Sequence, residues 1–248
     1  MTVAPAARPT ESMLVGAAGG VLGGLSWWWI HPVVGGVFAA CAAVSGVVSG
    51  WRGIYDWRRP RGWLGFVLDS TWALLPLSAA LVAHVVALVR RGGYVPAMSH
   101  RQGYHVYRAG LALKPGYALT LGNVISGAGD VGRARRAKLI TDHEAVHVWQ
   151  ARWFGPFYLV IYGLWSGLAA LVGLVVWWRR GRTQPRGAVI EAYSYYMNPF
   201  EWWAYSRDGF WPPSGLLQGL GWKGPVVRSF AELATSGADD AHAHDDPH

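Results

Sequence analysis

The hydrophobic pattern divides the chain into long apolar runs separated by basic or turn-rich stretches. Residues 13–30 and 33–50 are two such runs, joined at His31-Pro32. Each approaches the roughly 20 residues that a helix needs to cross a bilayer core of about 30 Å. Gly16, Gly19, Gly20, Gly23 and Gly24 place small residues on one face of the first run, and Gly35, Gly36, Ala39, Ala40 and Ala43 do so in the second. Small residues let helices approach closely in lipid, so 13–50 is expected to be a helical hairpin. A third run, 64–89, is interrupted by Asp69, Ser70, Thr71 and Pro76 and reads as one kinked span or a re-entrant segment. A fourth, 154–178, ends in Trp177-Trp178-Arg179-Arg180.

Between the third and fourth runs the pattern changes. Apolar residues alternate with others in Tyr104-His105-Val106-Tyr107 and in Ala118-Leu119-Thr120-Leu121, with Gly103, Gly110, Pro115, Gly116 and Gly122 as turn residues. This predicts two short strands, the second within 117–124. Residues 137–152 read as a helix. Beyond the fourth run, 187–210 is aromatic-rich and expected to be helical in part, with Asn198-Pro199 as a helix start. Residues 1–12 are a polar tail, and 235–248, rich in Asp and His, are expected to be disordered.

Composition agrees with a bilayer environment. Apolar residues make up 52% and charged residues 15%, against about 25% charged in ordinary soluble domains. The 16 Trp residues fit membrane–water interfaces. The net charge of +8 is spread over basic loops, which suits anionic lipid and offers no basic face for nucleic acid. By the positive-inside rule, the loop 51–63 with Arg52, Arg58, Arg59 and Arg61 is expected in the cytoplasm. Cys41 is the sole cysteine, which excludes an intrachain disulfide and a cysteine zinc cluster. Arg far outnumbers Lys, which occurs only at 114, 138 and 223. That bias suggests a bacterial source, and so a multi-pass protein of the bacterial inner membrane.

The candidate chemistry lies at His143-Glu144-Ala145-Val146-His147. On a helix, residues i and i+4 share a face, so both imidazoles can address one ion, and Glu144 can deprotonate a zinc-bound water. The pattern also occurs without metal, as a polar helix face. Here it follows an apolar strand and precedes Val148-Trp149-Gln150.

Together, Ala118-Leu119-Thr120-Leu121-Gly122-Asn123-Val124-Ile125 and His143 to Gln150 resemble small gluzincin-type metallopeptidase domains, over about 118–205. The chain is also similar to uncharacterised bacterial membrane proteins in which Arg152-Trp153-Phe154-Gly155-Pro156 follows the motif and Asn198-Pro199-Phe200-Glu201 comes later. The resemblance implies a third metal ligand spaced Glu-x-x-Ala on a later helix. Glu201-Trp202-Trp203-Ala204 matches that spacing, with Glu191 as rival. Tyr205 departs from the family pattern, where Asp is common. The expected fold is therefore mostly α, with about 3–4 membrane spans and a small α+β zincin-like insertion. Its divisions are 1–12, a transmembrane region 13–89, a zincin-like region 90–210, and a C-terminal segment 211–248.

The function expected is hydrolysis of a peptide or membrane-protein substrate, with zinc held by His143, His147 and Glu201 and with Glu144 as general base. The alternatives are a non-catalytic membrane scaffold with a relic or structural metal, or a zinc hydrolase of a non-peptide bond. The strand 117–124 serves either to lay an extended peptide across the metal or only to pack the helix. Tyr193, Tyr195, Tyr196, Tyr205 and His105 are open candidates for oxyanion stabilisation. Asp69 reads as a functional group in an apolar run or, slightly preferred, as a helix cap. His84 reads as a packed residue, and the tail histidines His242, His244 and His248 as part of a solvated acidic tail. One conflict stands: a single crossing by 154–178 would separate the two histidines from Glu201, unless 187–203 returns or 154–178 does not cross.

Overall fold

The computed structural model describes residues 8–114 and 116–208. The segment 211–248 and its histidine tail lie outside the described residues. The chain forms two compact units, one through Leu159 and one from Val160. The described residues are mostly helical, with one small sheet among them.

The first unit opens with α1 (Pro9–Trp27) and α2 (Pro32–Arg52). Proline stands in the first turn of each, where its missing N–H costs nothing. His31 caps α2 by accepting from the Val33 amide at 3.2 Å, and Gly53 ends it at φ +59, a left-handed position suited to glycine. The two helices form the expected hairpin and meet backbone to backbone. A Cβ added at Gly46 would lie 2.6 Å from the Val15 carbonyl oxygen, and one at Gly23 would lie 2.9 Å from that of Phe38. Ala42 of α2 joins Leu74 and Leu77 in a buried apolar cluster.

The third apolar run is two helices, α3 (Pro60–Ser70) and α4 (Leu74–Val89), bent by 90° at the break between them. Pro76 falls in the first turn of α4, where no intrahelical donor is lost. After the single turn α5 (Pro96–Ser99) come β1 (His105–Val106), β2 (Leu119–Leu121) and β3 (Val124–Ser126). The stretch 117–124 is therefore not one strand. Gly122, at φ +53, and Asn123 form a two-residue hairpin loop between β2 and β3, and glycine at the first loop position suits such a turn. β3 lies in the centre, parallel to β1 and antiparallel to β2.

Alternation along these strands gives the sheet two working faces. Val124, with Tyr107, packs against Ala80, Ala83 and Ala87 of α4. Val106 and Ile125 pack against Ile140, Ala145 and Val148. The sheet thus seats the His-Glu helix. That helix begins as α6 (Ala134–Lys138), widens into a π-helical stretch (Leu139–Glu144), and returns to α geometry in α7 (Ala145–Phe154).

A 3-10 turn leads into α8 (Tyr158–Arg179). In the second unit, α9 (Arg186–Glu191), a π-helical stretch (Ala192–Tyr196) and α10 (Pro199–Asp208) follow. Asn198 caps α10, its Oδ1 accepting from the Phe200 amide at 3.0 Å. Val176, Val189, Tyr193, Tyr196 and Tyr205 form this unit's core.

Among the described residues, two helical stretches are long and apolar enough to cross a membrane: Pro32–Arg52 and one within Ala134–Arg179. The bent pair α3–α4 would make a third. Leu164, Leu168, Leu171 and Val175 of α8 are exposed, which in water would be costly. Membrane association accounts for both observations.

Candidate metal centre

The π-helical stretch and the first turn of α7 carry His143, Glu144 and His147, all buried. Single π turns within α-helices recur at functional sites. The two imidazole Nε2 atoms face each other at 3.3 Å. The Nδ1 of His147 lies 2.8 Å from Gln150 Oε1. That oxygen can only accept, so Nδ1 carries the proton and Nε2 of His147 presents its lone pair. Two ligand atoms about 2.05 Å from one ion, at the tetrahedral angle, stand about 3.3 Å apart. The histidine pair therefore has the spacing of one edge of a zinc coordination shell.

Strand β2 reaches this helix directly. Thr120 is paired with Ile125 across the hairpin, and directly opposed residues point to the same face. That face is the one toward α7, and there Thr120 Oγ1 donates to Glu144 Oε2 at 2.7 Å. The carboxylate is thus oriented by the edge strand. Tyr158 lies 3.5 Å from both His147 Nδ1 and Gln150 Oε1 through its hydroxyl.

In the second unit, Glu201 is buried in the first turn of α10 and its Oε1 accepts from Tyr162 at 2.8 Å. The ligand atoms of His143, His147 and Glu201 all lie within 4.8 Å of one another. This buried group could hold a metal ion. Two imidazole nitrogens and one carboxylate oxygen are a donor set of catalytic zinc sites, which leave a further position open. Glu191, the rival third ligand, is not in the group.

Several sequence expectations change. Asp69 is no helix cap: it sits at the end of α3, buried, and takes a two-pronged ion pair from Arg152 of α7, Nε to Oδ1 and Nη2 to Oδ2, both at 2.8 Å. Tyr55 donates to Oδ2 at 2.9 Å. A Cβ at Gly65 would lie 3.2 Å from Arg152 Cζ, so that glycine makes room for the guanidinium. His84 is the packed residue expected, its Nδ1 2.8 Å from the Tyr107 hydroxyl. His105, an oxyanion candidate, is wholly buried between Ser49 at 3.1 Å and Tyr94 at 3.2 Å. Tyr193, Tyr196 and Tyr205 belong to the core of the second unit, with Tyr195 packed against it. The sequence reading missed Thr120, Tyr158 and Tyr162 as partners of site residues, and took Gln150 only as part of the motif without a partner. For Gln150 the signal was present, since it lies three residues after His147 on the same helix face.

Compared with protein-family models, with curated proteins and with solved structures, the chain has no significant match.

Proposed function

We propose that the protein is a membrane-embedded zinc-dependent hydrolase that cleaves peptide bonds. The observation that carries this reading is the pairing of a buried His-His-Glu group with a carboxylate, Glu144, that lies between the two histidines in sequence and is held in place by Thr120. Zinc bound by His143, His147 and Glu201 would supply Lewis acidity toward a carbonyl and an acidified water near neutral pH. The protein's own groups do the rest. With Oε2 held by Thr120, Glu144 takes the proton of the attacking water at Oε1. It then gives that proton to the amine that leaves as the C–N bond breaks.

The edge position of β2 favours a peptide over other substrates. Among the described residues its outer side is unpaired in the sheet, so an extended segment can add there through main-chain hydrogen bonds, beside the residue that holds the base. A membrane protein or a peptide delivered from the bilayer suits a site in such a chain.

The reading is tested by incubating the purified protein in lipid nanodiscs with a peptide library and detecting new termini by mass spectrometry. Cleavage is expected for the wild type, is abolished by a zinc chelator, and falls by roughly 10²–10⁴-fold in Glu144→Gln. Thr120→Val, which frees the base but leaves it in place, is expected to lose roughly tenfold. Undiminished cleavage by Glu144→Gln would refute the assignment.

A further inference from the structure

The C-terminal turns of α2 and α4 enclose a cleft of about 240 Å³. Val47, Trp51 and Leu88 form its apolar walls, and all three are themselves exposed. Pockets that enclose a whole small molecule run to about 300–1,000 Å³, so this one suits part of a long chain. Its polar members are Arg52, His84 and Tyr107.

Two of these are incomplete among the described residues. Arg52, half-buried, has its guanidinium 4.2 Å above the Tyr94 ring. Tyr94 is uncharged, and no described carboxylate pairs with Arg52. His84 is buried, and its Nδ1 is engaged by the Tyr107 hydroxyl. Its Nε2 has no hydrogen-bond partner among the described residues, and a buried polar atom of that kind is costly unless something meets it.

We propose that this cleft binds one anionic phospholipid, with an acyl chain along Val47, Trp51 and Leu88 and the phosphate on Arg52. Three features select this occupant. The walls are apolar and open outward from α2, a helix long and apolar enough to cross a membrane. Arg52 is the last residue of that helix, so its charge stands where a spanning helix meets headgroups. The missing counter-ion is an anion, and guanidinium pairs well with phosphate oxygens. With Tyr107 donating to Nδ1, His84 Nε2–H donates to an ester or phosphate oxygen of the same lipid. The site is independent of the metal and of any hydrolysis.

The test uses the full chain in nanodiscs of phosphatidylglycerol and phosphatidylcholine at equal amounts, followed by native mass spectrometry after release. The wild type is expected to retain one phosphatidylglycerol, with roughly tenfold preference over phosphatidylcholine. Arg52→Gln and the cleft-filling Leu88→Trp lose the retained lipid, while Arg52→Lys keeps it. Wild-type protein that retains both lipids equally overturns the proposal without reliance on any variant. So does a folded Arg52→Gln protein with undiminished preference, or displacement of the lipid by inorganic phosphate at about 10 mM, roughly ten-thousandfold over a micromolar site, which would mark a phosphate site only.

Discussion

Arg152 lies five residues after His147 and grips Asp69 with two parallel hydrogen bonds, both at 2.8 Å. The pair fastens the His-Glu helix to the end of α3. Arg152 Nη2 also donates to the Gly103 carbonyl, just before β1, and Asn123 of the β2–β3 turn reaches Asp69 at 3.5 Å. Helix, sheet and α3 thus meet at one buried charge pair. Removing one member of such a pair leaves the other charge uncompensated, which costs about 3–5 kcal/mol. Asp69→Asn is therefore expected to destabilise the detergent-solubilised protein by that amount in thermal unfolding. The double variant Asp69→Asn/Arg152→Met is expected to recover part of it, because no unpaired buried charge remains. An Asp69→Asn protein within about 0.5 kcal/mol of the wild type would show that the pair does not hold the helix.

Gln150 fixes the proton on His147 Nδ1 and so keeps the Nε2 lone pair turned toward His143. Partners that orient a metal-binding histidine typically contribute 10–100-fold to affinity. Gln150→Leu is expected to weaken zinc binding by about that factor in a chelator competition, with the fold retained. Unchanged affinity would mean that the imidazole is oriented by something else.

His105 makes stability depend on pH. Burial holds its pKa well below the ordinary histidine value, and His84, Arg52 and Arg152 press it further down. The ring lies between Ser49 and Tyr94, edge-on to His84 at 4.6 Å, and none of these supplies a negative charge. Folded His105 therefore stays neutral, while the unfolded residue takes a proton near pH 6.5. Stability is full above about pH 6.5 and falls as pH drops below it, with a slope of up to about 1.4 kcal/mol per pH unit from this one group, until the folded pKa is reached. Unfolding midpoints of metal-free protein between about pH 7.5 and about pH 5, the range in which the unfolded imidazole takes up its proton, should decline less steeply in His105→Gln. Parallel declines would contradict the assignment.

Much of the local architecture was legible in the sequence. The α1–α2 hairpin follows from the small residues of the two runs: Gly23, which the pattern singled out, leaves no room for a Cβ at the contact, whereas a Cβ at Gly36 would meet nothing within 4 Å and the tight contact at Gly46 was not singled out. The start of α10 follows from Asn198-Pro199, and the histidine pair from i, i+4 spacing. The loop within 117–124 was signalled by Gly122-Asn123, but a short alternating run reads as one strand until its pairing is known. The partners distant in sequence left no local sign. An aspartate in an apolar run announces that it needs a counter-charge, yet nothing near Asp69 singles out Arg152, 83 residues away, among the many arginines. Likewise, Thr120 meets Glu144 only because β2 pairs with β3 in a register that turns its side chain to α7. Tyr162 reaches Glu201 across 39 residues of chain.

The central claim is that His143, His147 and Glu201 hold one zinc ion and that Glu144 does not. Metal content of the purified protein, measured by mass spectrometry after dialysis against trace zinc, tests it most directly. The account predicts one zinc per chain in the wild type and in Glu144→Gln, and none in His143→Ala or His147→Ala. Glu201→Ala is expected to bind it too weakly to survive dialysis. Stoichiometric zinc in a protein lacking both His143 and His147, or a wild-type protein that takes up no metal, would contradict the account.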